Sequence, residues 1–246
     1  MLTIHHGAAA APHGFACLVG QDGILRGDCQ SPRAPANSRR AGCRVAMLTP
    51  SQISVYRVPL DAPPPESFPP PSPAESSRAA RFHSAADRDR YLHSHRALRA
   101  VLARATSAPL DFSFTEKGKP YLPAAPHVRF SLSRSHDLAL IAVALNVDVG
   151  VDVERLRPVP EFDAIAQRFF PPSEAAAFAA LPPAARERAF FPFWTRIEAM
   201  LKARGVGLHG AGAELGGDWT TAEVDAPPGY AAAVAAAAPG MRIVLD

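Results

Sequence analysis

A chain of 246 residues, 48% hydrophobic and 20% charged, holds enough apolar material to bury one large core or two smaller ones. That composition excludes a wholly disordered protein, and the longest uncharged apolar block, Leu138–Leu145, is far too short to cross a bilayer. The formal net charge of +3 suggests an anionic partner, but the excess is unevenly placed. In residues 1–46, Arg26, Arg33, Arg39, Arg40 and Arg44 face only Asp22 and Asp28. This leaves 21 of the 26 basic and 21 of the 23 acidic residues for a neutral body, 47–246. A nucleic-acid-binding body would need a net basic face with interleaved aromatics, and neutrality argues against one. Cys17, Cys29 and Cys43 also fall in the leader, so the body has neither a disulfide nor a cysteine metal site. The leader shows no sustained apolar periodicity and no clean signal peptide. It reads as a disordered extension or as sequence upstream of a true start at Met47, with a targeting peptide or a nucleic-acid-binding arm as alternatives.

Along the body, Ile53–Val58 alternates as a strand. Ala62–Pro73 carries seven prolines in twelve residues and reads as an extended surface loop. Arg78–Arg104 has the pattern of one helix, with Phe82, Tyr91, Leu92, Leu98, Val101 and Leu102 toward the core and seven arginines against Asp87 and Asp89. Such a run is either a solvated face or a binding surface. Glu116–Pro120 is a turn before Tyr121. Strands follow at Val128–Leu132 and Leu138–Leu145, joined by a polar loop, Ser133–Asp137. After a turn at Asn146, Val149–Glu154 alternates strictly, with the valines on one face and Gly150, Asp152 and Glu154 on the other. Helices are expected at Glu161–Phe170, Ser173–Ala180, capped by Ser173, and Ala184–Arg204, whose continuous part starts near Pro192. Trp219–Val224 and Tyr230–Ala236 close the chain.

Asp152 and Glu154 on one strand face, with Glu198 on a helix face beside Trp194 and Lys202, would repel one another unless a cation joined them. Hard oxygen donors without His or Cys suit Mg²⁺. The wider order contains Arg90, Gly118-Lys119-Pro120, Phe130-Ser-Leu-Ser-Arg-Ser135 and Gly150-Val-Asp-Val-Glu154. Arg168-Phe-Phe170 with Glu174, Trp194-Thr-Arg-Ile-Glu-Ala199 with Lys202 and Gly205, and Pro228-Gly-Tyr230 complete it. From about Ile53 to Ala235 this order resembles the Sfp-type 4′-phosphopantetheinyl transferases.

The resemblance implies transfer of the phosphopantetheine arm of coenzyme A to a serine of an apo acyl, peptidyl or aryl carrier protein, releasing adenosine 3′,5′-bisphosphate. It implies Mg²⁺ on Asp152, Glu154 and Glu198, and Lys202 at the phosphates. The proton acceptor stays open among Glu198, Glu174 and Lys202. It implies coenzyme A contacts from Arg90 at the 3′-phosphate, supplemented by Arg78 or Arg81, and from Lys119, Pro120, Ser133 and Arg134. The implied fold is α+β, two similar halves related by a pseudo-twofold axis. Residues 47–146 then form the coenzyme A wall and 147–246 the metal-binding, catalytic half. A cytoplasmic monomer without membrane or nucleic-acid partner is expected.

Two positions depart from the family pattern. Arg134 stands where the family has His, and an arginine can still pair with a phosphate. Ile197 replaces a lysine before the metal-binding Glu, removing a cation that Arg196 or Arg204 could partly replace. Together they motivate one alternative, a non-catalytic relative that binds coenzyme A or a carrier protein. The resemblance also makes Tyr230–Ala236 a strand where its alanines favour a helix.

Overall fold

Residues 49–207 and 215–246 are described by the computed structural model, so the readings of the leader and of Met47 lie outside the described residues. The first strand, β1 (Gln52–Pro59), leads into the proline-rich segment, which stays irregular until Pro73. The arginine-rich stretch expected as one helix is two, α1 (Pro73–Ala79) and α2 (Ala85–Ala105). The Ser84 cap, which starts α2 afresh, accounts for the break, and Ser72 caps α1. Ser72 Oγ accepts from Glu75 N–H while Glu75 Oε2 accepts from Ser72 N–H, and Ser84 Oγ accepts from Asp87 N–H. Each cap satisfies orphan donors at its own helix start. Tyr91, Leu98, Val101 and Leu102 are buried as expected, and Leu92 is half-buried.

A short hairpin, β2 (Ser113–Phe114) and β3 (Pro120–Tyr121), turns through Gly118 at φ +85°. Strand β4 (Val128–Ser135) is longer than expected. Ser133–Ser135 belong to the strand, and the turn shrinks to His136–Asp137, with His136 at φ +52°. Strand β5 (Leu138–Leu145) pairs antiparallel with β4 along its whole length and with β1 from Leu138 to Ala144. Strand β6 (Val149–Arg155) opens the second part of the chain.

Three helices follow: α3 (Phe162–Phe169), α4 (Pro172–Ala179) and α5 (Pro183–Arg204). Ser173 does not cap α4; Pro171 holds the cap position and no side chain bonds there. Nor does α5 start near Pro192. It runs straight through it from Pro183, although an interior proline costs about 3 kcal/mol. Phe190, Phe193 and Trp194 flank the proline and pack with Phe162, Phe170 and Phe178, which offsets that cost. The chain ends with β7 (Thr220–Glu223), β8 (Tyr230–Ala236) and an unanticipated β9 (Arg242–Leu245).

One sheet has the order β4-β5-β1-β9, the other β6-β8-β7. β9 is parallel to β1, so the C-terminal strand returns to the first sheet. Strand β8 is central in its sheet. One apolar cluster takes Ala232, Val234 and Ala236, together with Ile53, Val55, Leu140, Val149, Val151 and Val153, between the sheets. A second takes Ala233 and Ala235 against Ile197, Ala199 and Leu201 of α5. Pairing on both edges and small side chains that admit a close helix explain why an alanine run is a strand. A third cluster packs α2 on the outer face of the first sheet. The whole is an α+β arrangement, and the described residues belong to one compact unit. Among the described residues no helix is long and apolar enough to cross a membrane.

Candidate active site

The site begins with an absent side chain. A Cβ on Gly150 would lie 1.9 Å from the Ala199 carbonyl oxygen and 2.5 Å from Ala203 N, so only glycine lets β6 lie directly on α5. Two residues on, Asp152 then meets the last turns of that helix. Lys202 Nζ donates to Asp152 Oδ1 at 2.5 Å and to Ser133 Oγ at 2.9 Å, and Ser133 Oγ donates to Asp152 Oδ1 at 2.8 Å. Asp152 is 3% exposed and Glu198 8%. Glu154 Oε2 accepts from Ser135 Oγ at 3.1 Å and from Arg157 at 3.3 Å.

Burial pushes the Glu198 carboxyl up to about 7, helped by the charges of Asp152 and Glu154; Lys202 pulls it back only part of the way. Glu154 is likewise raised, by burial first and Asp152 second. Burial acts to lower the Lys202 ammonium, but Asp152 and Glu198 outweigh it and hold the group above its ordinary value. Three carboxylates against Lys202 and the partly exposed Arg157 leave the cleft short of positive charge.

The donors have the chemistry a hard divalent cation takes, and one buried oxygen, Asp152 Oδ2, has no hydrogen-bond partner among the described residues. The geometry is not preassembled, however. Among the described residues no three acidic, His or Cys side chains stand in a metal-coordinating group; Lys202 and Ser133 both hold Asp152 Oδ1 and leave Oδ2 to a further partner.

The sequence pattern of the 4′-phosphopantetheinyl transferase superfamily matches residues 148–237, the stretch that runs from β6 to the end of β8. The chain is 34% identical over 170 residues to the 4′-phosphopantetheinyl transferase HetI of Nostoc sp. (strain PCC 7120), covering 65% of this chain and 72% of that relative. The chain belongs to the 4′-phosphopantetheinyl transferase superfamily. It is also 30% identical over 140 residues to the 4′-phosphopantetheinyl transferase Sfp of Bacillus subtilis (strain 168), and 35% over 107 residues to AcpT of Salmonella typhimurium. These matches span 56% and 44% of this chain and 61% and 56% of the two relatives, so they cover less than two thirds of either.

For a superfamily member the remaining candidate residues divide clearly. Arg78 and Arg134 converge on Tyr91, their guanidinium carbons 5.9 and 5.3 Å from its ring centre, and Arg134 also lies 5.4 Å from the Phe82 ring. Burial raises the Tyr91 hydroxyl, while Arg78, Arg134 and exposed Arg81 all pull it down, so three arginines share this neighbourhood. Arg90 pairs instead with Asp87 at 3.7 Å. Lys119 bonds Asp148 at 3.1 Å and the Ala203 carbonyl, with its stem against Gly205, which caps α5 at φ +68°. Pro120 pairs with Phe114 in the hairpin. Glu174 is tied to Arg196 at 2.5 Å.

Ile197 is 1% exposed, inside the α5 core cluster. Its side chain points away from the cleft, so the isoleucine supplies packing there. The two suggested substitutes are engaged elsewhere, Arg196 with Glu174 and Arg204 with Trp219 and the Gly216 carbonyl. Sequence reasoning missed Ser135 and Asp148 as partners of Glu154 and Lys119. The Ser-x-Ser-x-Ser alternation at 131, 133 and 135 was the signal for the first.

Proposed function

We propose that this chain transfers the 4′-phosphopantetheine arm of coenzyme A to a serine hydroxyl of an apo carrier protein. The serine oxygen forms a bond to the β-phosphorus as the phosphoanhydride breaks, and adenosine 3′,5′-bisphosphate leaves with the electron pair. Kinship with proteins named for this transfer supports the reaction, and the observation that carries the site is the buried excess of carboxylate around Asp152 Oδ2.

Asp152, Glu154 and Glu198 are the residues that would hold Mg²⁺, which supplies neutralisation of diphosphate charge when bound. Lys202, held cationic by Asp152 and Glu198, stabilises phosphate charge and is a poor proton acceptor for the same reason. Glu198, inside the cleft, is the better candidate for the serine proton; its raised proton affinity belongs to the metal-free site, since a bound cation would lower it. Glu174 has the weaker claim because its carboxylate is committed to Arg196. Arg78, Arg81 and Arg134 form the anion wall for the 3′-phosphate end, and cationic guanidinium groups suit that role. Arg90 sits with Asp87, outside that group.

The test is incubation of the full chain with coenzyme A, Mg²⁺ and several apo carrier proteins, followed by mass spectrometry. The expected result is a serine-borne gain of one phosphopantetheine. Coenzyme A binding without any gain, while a known transferase modifies the same carriers, would favour the non-catalytic alternative and sink this reading.

A further inference from the structure

The two sheets meet at β4 and β6, each the edge strand of its own sheet. An edge strand presents unpaired amides, and here side chains take the place of a backbone ladder. Ser131 Oγ accepts from Val151 N–H at 3.1 Å, Ser133 Oγ from Val153 N–H at 3.4 Å and Ser135 Oγ from Arg155 N–H at 3.1 Å. Three alternate serines on one strand thus serve three alternate amides on the other, and all three serines are buried.

A hydroxyl that accepts from an amide keeps its own proton to donate. Ser133 gives it to Asp152 Oδ1 and Ser135 gives it to Glu154 Oε2, both across a separation of 19 residues. The same offset puts Ser131 opposite Gly150, which has no side chain to receive it. The backbone seam and the aim of both carboxylates are therefore in one register. We propose that the serine row of β4 positions the β6 carboxylates, Ser133 holding Asp152 and Ser135 holding Glu154, and thereby sets the strength of divalent-cation binding. The proposal rests on the metal reading above and adds Ser135 to it as a positioning residue.

Ser131 is an internal control, since Ser131→Ala and Ser135→Ala each delete one seam bond but only Ser135 touches a carboxylate. Mn²⁺ is titrated into the full chain with saturating coenzyme A, and free Mn²⁺ is followed by electron paramagnetic resonance alongside thermal melting. Ser135→Ala is expected to weaken Mn²⁺ binding about tenfold, the scale of losing a partner that orients a metal ligand. Ser131→Ala should stay within about twofold of wild type, Ser135→Thr should restore binding, and the two alanine variants should lose similar melting temperature. If Ser135→Ala does not fold, Ser135→Cys, a weak donor, replaces it with the same expected order. Equal Mn²⁺ affinities in the position-131 and position-135 variants would overturn the proposal alone. Failure of the wild-type protein to bind Mn²⁺ would overturn it together with the metal reading.

Discussion

Two glutamates of almost equal burial, Glu75 at 6% exposure and Glu198 at 8%, behave in opposite ways. Burial alone would raise both carboxyls. At the α1–α2 junction, hydrogen bonds from His95, from Arg99 Nε at 2.9 Å and from Ser72 N–H at 2.6 Å overcome it and leave Glu75 at about 2. In the cleft between β6 and α5, Asp152 and Glu154 add to burial and Glu198 stands at about 7. The first carboxylate is complete within the protein. The second carries a charge that the protein alone does not balance, and an unbalanced buried charge marks a place where something else binds.

The widest gap between the two regions should appear on replacing each carboxylate by its amide. Glu198→Gln is expected to lower the transfer rate by roughly 10²–10³-fold, the scale of removing a preorganised charged group, measured as holo-carrier formed per minute. In metal-free protein it should also stabilise. The folded value of Glu198 lies above its ordinary 4.5, so the native state binds the extra proton between about pH 4.5 and 7 and stability falls as pH rises through that window. The variant should therefore melt above wild type at pH 8 and match it near pH 5. An offset of the same size at both pH values would contradict the assignment.

Glu75→Gln should do the reverse. Its depressed value adds stability that is full above the ordinary 4.5 and lost as pH falls toward about 2. The variant is expected to melt about 5 °C lower at pH 7 and to converge on wild type in acid, with kcat kept. A large loss of kcat without loss of melting temperature would place Glu75 in the chemistry instead. The smallest effect concerns the neighbouring anion wall. Arg134→Ala should raise KM for coenzyme A about tenfold, with kcat within about twofold. A change confined to kcat would remove Arg134 from binding.

Much of this was legible before any coordinates. Strict alternation at Val149–Glu154 put Gly150, Asp152 and Glu154 on one face, and the structure sets the backbone of α5 against that glycine. Helical spacing put Glu198 and Lys202 together, and the motif order named the family. What escaped depended on contacts distant in sequence. Ser133 and Ser135 looked like loop because their polarity hid a strand whose hydroxyls bond another strand 20 residues on. The ties of Lys119 to Asp148 and to the Ala203 carbonyl, 29 and 84 residues away, left no local signal. The helix through Pro192 defied a local rule because aromatic packing outweighed one missing amide. Ile197 read as a lost cation because spacing alone does not say which side of α5 is wet.

The pairing of β9 with β1 has a kinetic meaning. Arg242 also bonds the Gln52 side chain across 190 residues, so the first strand of the body gains its second neighbour only when the last strand arrives. Closing so long a loop costs entropy before any pairing repays it, and such high contact order slows folding. Until that step β1 stays open on one side, able to accept a strand from another molecule. Closing this seam, remote in sequence from the cleft, is therefore the step expected to limit how fast the chain folds.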